Sequence, residues 1–242
     1  MHGQLLSSGI PVRLRIHSEQ ALLLDLTALA PQGPGPELMQ VMQNLRLQLP
    51  LLLGDALLEL VPSYTSVLVI FDVLKTDHTE IWQKIVSAQA MLFRPELQAS
   101  SNKVIELPCY YSQESGPDLQ AVAALHQLSI NELIQLHCGQ AYQVYAIGFA
   151  PGFAYLGFTD PRISTPRLAN PRPAVAAGSV AIADRQTAVY PAASPGGWHL
   201  LGNCPIPLFD LTADPMLPFA VGDTVRFVPI ERAEFLRLGG QL

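Results

Sequence analysis

The sequence has few charged residues and very few lysines. Only 14% of its 242 residues are charged, its formal net charge is -6, and Lys75, Lys84 and Lys103 are its only lysines. A nucleic-acid-binding surface needs a basic face, so this balance argues against a polyanionic partner. A serine amidase of the Ser-Ser-Lys kind needs a lysine beside its serine, and no lysine follows residue 103. The second half of the chain is therefore not expected to be such an amidase.

Signals for disulfides, metals and membranes are sparse as well. Cys109, Cys138 and Cys204 are widely spaced and form no Cys-x-x-Cys pair, which predicts reduced thiols. The six histidines have no ligand spacing, so we expect no metal site. The sequence contains no run of about 18 apolar residues and no signal-peptide pattern. We therefore expect a cytoplasmic protein without a membrane helix.

Nucleotide-binding and esterase signatures are also missing. The sequence has no Gly-rich phosphate loop ending in Lys-Ser or Lys-Thr, and no dinucleotide fingerprint. It has no Gly-x-Ser-x-Gly nucleophile elbow either. No organic cofactor is therefore expected in this chain.

Hydrophobic periodicity in the first hundred residues predicts an α+β arrangement. In chain order, the predicted elements are strands at 12–16 and 21–26, a helix at 37–49, strands at 56–61 and 67–71, a helix at 77–93 capped by Thr76, and a strand at 103–107. This order is typical of a small sheet with two helices on one face. It predicts a ferredoxin-like α/β sandwich over residues 1–102.

The remaining residues have a different pattern, and the composition changes within 100–108. Two short helices are predicted at 118–128 and 130–137, the second with a capping box formed by Ser129 and Glu132. Short strands follow at 142–149, 179–183, 187–190, 198–202 and 224–229. Many short strands separated by turns predict a closed or nearly closed β-barrel, so residues 103–242 form the second predicted domain.

One stretch, residues 148–198, combines Pro, Gly, Ser and Thr with six aromatic residues. Aromatics anchor a loop to a core, so the stretch is interpreted as a long functional loop rather than a disordered linker. Arg162, Arg167 and Arg172 are evenly spaced, and no acidic residue occurs between Asp160 and Asp184. Guanidinium groups on a rigid loop suit a carboxylate or a phosphate. The alternative is that these arginines bond loop carbonyls and solvent.

The stretch also supplies the candidate residues for binding a small anionic substrate. Prolines hold the backbone beside Arg167 and Arg172, and the turn at 194–198 has amides that can bind an anion. Trp198 and His199 should point to opposite faces of a strand, so only one of them can face the pocket. The candidates are Arg167, Arg172, Gln186, Tyr190, Ser194, Gly197 and His199. No catalytic residue is assigned, because His137 at a helix end is expected to be a dipole partner or cap rather than a base. The alternative is that Pro and Gly only shape barrel loops while the aromatics fill the core.

Ordered short motifs in this stretch resemble a known family. GFAPGFAYLG, STPR, ANPR, AGSVAIA, QTAVYP and SPGGWHLLG follow one another as in the B subunit of bacterial 5-oxoprolinase. That family is also called allophanate hydrolase subunit 1 and Kip-type sporulation kinase inhibitor, and the carboxyltransferase region of urea carboxylase contains a related module. The resemblance covers most of the chain and is weakest in its N-terminal third. It implies a cyclophilin-like β-barrel for residues 103–242.

The resemblance also implies a function. It predicts one subunit of an ATP-dependent 5-oxoprolinase, which opens 5-oxo-L-proline to L-glutamate and is active only together with the A and C subunits, partners of the Kip type. ATP would be a co-substrate of the complex, bound with those partners. Two alternatives stay open: a regulatory protein that inhibits a sensor histidine kinase, and a carboxyltransferase-related module. The second is disfavoured because the chain has no Met-Lys biotinylation site.

Overall fold

The computed structural model describes residues 4–5, 11–31, 33–94 and 103–242. The chain divides into two compact units, Met1–Ser101 and Asn102–Leu242. Each unit has hydrophobic core clusters of its own. The predicted boundary at 100–108 lies partly outside the described residues, because these leave out 100–102.

The first unit is an antiparallel sheet with two helices. Its strands are β1 (Gln4–Leu5), β2 (Arg13–Ser18), β3 (Ala21–Asp25), β4 (Leu57–Ser63) and β5 (Ser66–Phe71), and its helices are α1 (Pro36–Leu53) and α2 (His78–Leu92), with short 3-10 helices at Thr27–Leu29 and Gly54–Ala56. The strand order is β1-β2-β3-β5-β4. The core contains buried residues of the sheet and of both helices, among them Leu24, Leu45, Val69, Ile81 and Ile85.

Polar side chains fix where α2 begins and join its end to α1. The Asp77 carboxylate accepts the backbone N–H of Glu80 at 2.8 Å, so Asp77 caps α2 and the prediction of Thr76 as the cap is wrong. Thr76 instead donates its hydroxyl to the Glu80 side chain at 3.0 Å. Buried Asn44 of α1 donates to the carbonyls of Met91 and Leu92 at the end of α2, which satisfies groups that a helix terminus leaves unpaired.

The second unit consists of nine described strands and three described α-helices. Its strands are β6 (Val104–Cys109), β7 (Tyr142–Ile147), β8 (Ala154–Gly157), β9 (Arg172–Val175), β10 (Ser179–Ala183), β11 (Gln186–Val189), β12 (Ser194–Gly196), β13 (His199–Asn203) and β14 (Thr224–Pro229). Its helices are α3 (Leu119–Leu125), α4 (Ile130–Cys138) and α5 (Arg232–Arg237), with a 3-10 helix at Pro161–Ile163.

Seven of these strands pair in the order β6-β14-β7-β8-β11-β10-β13. All their pairings are antiparallel except that of β14 with β6. An isolated bridge joins Tyr110, the residue after β6, to Asn203 of β13. The first and last strands of the series are therefore connected. The strands β9 and β12 form a separate two-stranded sheet.

The structure confirms the capping box at the start of α4 and corrects the interpretation of residues 148–198. The Ser129 hydroxyl accepts the backbone N–H of Glu132, and the Glu132 carboxylate accepts the backbone N–H of Ser129. Residues 148–198, in contrast, contain β8 to β12, so the interpretation as one long loop is wrong. Their prolines and glycines lie in short strands and the turns between them. The predicted strand near 103–107 belongs to the second unit, where it pairs with β14.

Candidate functional site

The second unit contains a pocket of about 190 Å³ within the stretch that the sequence singles out. Its lining combines aromatic rings, prolines, glycines and one arginine: Phe149, Phe153, Tyr155, Arg167, Leu168, Pro171, Tyr190, Pro195, Gly196, Gly197 and Trp198. Among these residues Arg167 alone is charged. The pocket is smaller than the range of about 300 to 1,000 Å³ that is usual for drug-sized ligands, so it suits a small molecule.

Aromatic rings in edge-to-face contact build the wall of the pocket. The ring centroid of Phe153 lies 4.9 Å from that of Tyr155, 5.4 Å from Tyr190 and 5.8 Å from Trp198. The interplanar angles of these pairs are 67° to 82°. Such pairs attract one another beyond the burial of their surface. Because Phe153, Tyr190 and Trp198 are buried, the wall is held in place by the core.

Arg167 lies at this wall with its guanidinium loosely held. Its central carbon is 5.9 Å from the centroid of the Trp198 ring, within the range of a cation–π contact. Its Nε atom is 3.9 Å from Oδ2 of Asp184, at the limit of an ion pair, and 59% of its side chain is exposed. An exposed pair of this length contributes little energy, so the fork of Arg167 is available to another anion.

Arg172, in contrast, is firmly bound to another part of the protein. Its Nη2 atom donates to Oδ1 of Asp118 at 2.6 Å, and its Nη1 atom donates to the Trp198 carbonyl at 3.4 Å. The other Asp118 oxygen accepts the backbone N–H of Leu200 at 2.7 Å. Arg172 is not among the residues that line the pocket. The sequence around Arg172 lacks acidic residues, but the fold brings Asp118 to it.

Tyr190 and the glycines beside it shape the floor of the pocket. The Tyr190 hydroxyl is hydrogen-bonded to the backbone N–H of Trp198, and burial raises the pKa of this phenol. Gly196 packs directly against that hydroxyl. The carbonyl of Gly197 accepts the backbone N–H of Leu168 at 2.8 Å. Since 194–196 form strand β12 and the Trp198 amide is already bonded, the expected anion-binding turn with free amides is not what the structure contains.

The predicted site residues therefore fall into two groups. The pocket lining includes Arg167, Tyr190 and Gly197. Arg172, Gln186, Ser194 and His199 lie outside the lining. Nε2 of His199 is 2.9 Å from the Pro166 carbonyl, and Gln186 lies in β11 opposite Gly157 of β8. Trp198 lines the pocket and His199 does not, but Trp198 lies just before β13, which begins at His199, so the two are not neighbours on one strand.

Sequence reasoning did not find several residues of this region. Phe149, Tyr155 and Pro171 line the pocket, and Asp118 holds Arg172 beside it. The Pro- and aromatic-rich composition of the stretch is the signal that could have identified the first three. Asp118 gives no such signal, because it contacts Arg172 only through the fold.

His137 is a buried structural residue rather than a charged partner of its helix. Its side chain is fully buried, and burial lowers the pKa of the imidazole to about 3. Thr187 donates its hydroxyl to the Ala181 carbonyl and so accepts from Nε2 of His137 at 2.8 Å, while the Tyr111 hydroxyl lies 2.7 Å from Nδ1. The neutral ring thus has both nitrogens bonded. The expectation of a cationic dipole partner at the end of α4 is therefore wrong.

Neither a metal cluster nor a membrane helix occurs in the part of the chain that the structure describes. These residues contain no group of three or more His, Cys, Asp or Glu side chains that is arranged to hold a metal ion. Nor is any helix within them both long enough and apolar enough to span a membrane.

Comparison with known proteins first gives the class of the chain. Residues 12–219 match the family model described as carboxyltransferase domain, subdomain C and D. Proteins named as the B subunit of 5-oxoprolinase are similar along most of their length. That of Bacillus subtilis is 38% identical over 187 residues, which are 74% of this chain and 78% of that protein. That of Escherichia coli O157:H7 is 40% identical over 171 residues, 71% of this chain and 77% of that protein. The chain belongs to the family of 5-oxoprolinase B subunits.

Solved structures are similar in fold. A conserved uncharacterised protein of Pyrococcus horikoshii, PH0987, is 36% identical with a TM-score of 0.54, covering 92% of this chain and 99% of that one. The protein TTHA0988 is 30% identical with a TM-score of 0.75; the similarity covers 88% of this chain but only 40% of that one. The Kluyveromyces lactis urea amidolyase, at 17% identity and a TM-score of 0.72, is similar over 98% of this chain and 16% of its own. This last likeness concerns the fold alone.

Proposed function

We propose that this chain is the B subunit of an ATP-dependent 5-oxoprolinase, a complex that opens 5-oxo-L-proline to L-glutamate. The relatives that carry this name, at 38% and 40% identity, support the proposal. Their names do not favour the kinase-inhibitor alternative. The observation on this chain that carries the proposal is the small aromatic pocket with Arg167 as its single charged lining residue.

The overall reaction explains why ATP is consumed. A lactam is a stable amide, and phosphorylation of its oxygen by ATP, with ADP as leaving group, activates the ring carbon. One water adds to that carbon and the C–N bond breaks. A second water releases phosphate, so the products are L-glutamate, ADP and phosphate. The part we assign to this chain is to hold the small anionic substrate in the aromatic pocket, where the guanidinium of Arg167 pairs with its carboxylate.

The proposed site includes all seven candidates in two roles. Three residues form the pocket itself: Arg167, Tyr190 and Gly197. The other four support the strands around it: Arg172, Gln186, Ser194 and His199. Of these, Arg172 acts through its bond to the Trp198 carbonyl, and His199 through its bond to the Pro166 carbonyl. No residue of this chain is assigned a proton transfer.

The proposal requires partners, because the sequence contains no phosphate-binding loop. The A and C subunits are proposed to bind ATP with this chain and to complete the amide hydrolase. The complex is proposed to work in the cytoplasm, where ATP is available.

We also propose finer names for the two units. Residues 1–102 are proposed to be a ferredoxin-like domain, supported by an antiparallel sheet whose core is shared with α1 and α2. Residues 103–242 are proposed to be a cyclophilin-like β-barrel domain with two short helices, α3 and α4. The bridge between Tyr110 and Asn203, which brings the ends of the strand series together, supports this description.

Reconstitution tests the function. The purified chain alone should not hydrolyse ATP when 5-oxoproline is added, whereas a mixture with the A and C subunits should release phosphate and glutamate in equal amounts. A mixture without this chain is the matched control. Robust turnover by the chain alone, or full activity of the other two subunits without it, would contradict the proposal.

A further inference from the structure

We infer that the aromatic pocket recognises the carboxylate of a small cyclic acid through Arg167, with the substrate ring lying against the Trp198 and Tyr190 side chains. This inference rests on the proposed function and deepens it, since 5-oxoproline is a five-membered lactam with one carboxylate. It assigns the substrate carboxylate to one of the three evenly spaced arginines, Arg162, Arg167 and Arg172.

The three arginines differ in how firmly they are already bound. Arg162 forms two hydrogen bonds with Asp160, at 3.0 and 2.8 Å. Arg172 is bound to Asp118 at 2.6 Å. Arg167 has only the 3.9 Å contact to exposed Asp184 and its position beside Trp198. Planar guanidinium groups bind carboxylates through two parallel N–H donors, and Arg167 is the one whose donors are not committed to a close acid.

The walls of the pocket fit a ring rather than a chain. A volume of about 190 Å³ leaves room for a one-ring molecule. The bond from the Trp198 amide to the Tyr190 hydroxyl fixes these two neighbours relative to each other. Pro171 and Leu168 also line the pocket. The CH2 groups of the ring therefore meet preformed aromatic walls while its carboxylate faces the guanidinium, which reduces the ordering cost of binding.

Asp184 is a weak competitor of the substrate carboxylate for the Arg167 guanidinium. Its carboxylate is 66% exposed and 3.9 Å from Nε of Arg167, so a substrate carboxylate replaces a weak, solvent-screened contact. Asp184 has a positive φ of 50°, a conformation that asparagine also tolerates. The change Asp184→Asn therefore removes the competing charge with little disturbance of the turn.

Tryptophan fluorescence of the full chain tests the inference directly. The chain has two tryptophans, so a Trp82→Phe background leaves Trp198 as the reporter in the pocket. 5-Oxo-L-proline should give a saturable change in the millimolar range or below. 2-Pyrrolidinone, the same ring without the carboxylate, should bind at least about 10-fold more weakly, the loss expected for one charged hydrogen-bonding partner.

Three variants in this background separate Arg167 from its neighbours. Arg167→Gln should weaken binding of 5-oxoproline by about 10- to 100-fold. Arg162→Gln, the matched control, should leave it unchanged. Asp184→Asn should strengthen it by a few-fold. A missing saturable response, equal binding of 2-pyrrolidinone, or wild-type affinity in Arg167→Gln would each overturn the inference.

The assembled complex separates this inference from the proposed function. Arg167→Gln should raise KM for 5-oxoproline more than it lowers kcat, because the carboxylate does not react. An active wild-type complex whose KM is unchanged in Arg167→Gln would reject the inference and leave the function intact. A wild-type complex that does not couple ATP hydrolysis to 5-oxoproline would reject the function, and the fluorescence titration would still decide whether the pocket binds a cyclic acid.

Discussion

Arg172 and Asp118 are 54 residues apart in the sequence, yet their Nη2 and Oδ1 atoms lie 2.6 Å apart. The Asp118 carboxylate also accepts a hydrogen bond from the backbone N–H of Leu200. The Asp118 side chain therefore joins the start of α3 to both β9 and β13. Arg172 adds a bond to the Trp198 carbonyl in the pocket wall. The ion pair is therefore a connection between the strands that carry the pocket.

The first prediction concerns the stability that this pair provides. Only 13% of the Asp118 side chain and 28% of the Arg172 side chain are exposed, so removing the acid leaves a poorly solvated charge. Asp118→Ala should lower the free energy of unfolding by about 1 to 3 kcal/mol, measured by chemical denaturation. Glu234→Ala, which breaks an exposed pair with Arg237, should lower the free energy of unfolding much less. Equal losses in both variants would show that the Asp118 pair is no stronger than a surface pair.

The second prediction compares two adjacent glycines. A Cβ atom at Gly196 would overlap the hydroxyl and ring of buried Tyr190, whereas one at Gly197 would meet the Pro171 side chain at an ordinary 3.6 Å. Gly196→Ala should therefore cost about 1 to 3 kcal/mol of stability and distort the pocket. Gly197→Ala should change stability by less than about 0.5 kcal/mol. Thermal unfolding of both variants checks this, and the reverse order would contradict the described packing.

The third prediction concerns acid stability and His137. Burial lowers the pKa of His137 from 6.5 to about 3, so between these values the unfolded chain binds a proton that the folded chain does not. The contribution is complete above pH 6.5 and is lost as the pH falls towards 3, by at most about 1.4 kcal/mol per pH unit. His137→Gln should show a shallower loss of stability over this range than the wild type.

The control for this measurement is exposed His17. His17→Gln should keep the wild-type slope of unfolding free energy against pH. If His137→Gln also keeps that slope, the buried imidazole does not titrate as described.

The fourth prediction concerns the thiols. Burial raises the pKa of Cys138 and of Cys204 to about 11, and raises that of fully buried Cys109 well above its ordinary value. Since only the thiolate is alkylated, iodoacetamide at pH 8 should modify the folded chain at least about 100-fold more slowly than the unfolded chain. Mass spectrometry of each cysteine follows the reaction. A cysteine of the folded protein that reacts as fast as in denaturant would contradict the description of its surroundings.

The sequence predicts those parts of the structure that depend on local pattern. The capping box of Ser129 and Glu132 follows from a spacing of three residues, and α1 follows from its apolar periodicity. The strands β9 and β12 are not predicted, because Pro173 and Pro195 read as turn residues in a local pattern. In the structure these prolines occupy a short sheet of two strands, in which few backbone donors are needed.

In the candidate site, too, the features that depend on local sequence are predicted and those that depend on distant contacts are not. Composition and spacing identify the stretch that contains the pocket, and place Arg167, Tyr190 and Gly197 among the candidates. They do not reveal which arginine is already paired. That depends on Asp118, which reaches Arg172 only when α3 and β9 have come together. Non-local contacts of this kind have no signature in a single sequence.

The parallel pairing of β6 with β14 has a consequence for how the second unit is made. Thr224 lies opposite Val104 and Pro229 opposite Cys109, so the first strand of this unit finds its partner about 120 residues later. β14 is the last strand to be synthesised. Until it leaves the ribosome, the backbone edge of β6 that pairs with it stays exposed. A chain that stops before residue 224 should therefore be captured by chaperones or degraded, even though every residue of the pocket has already been made.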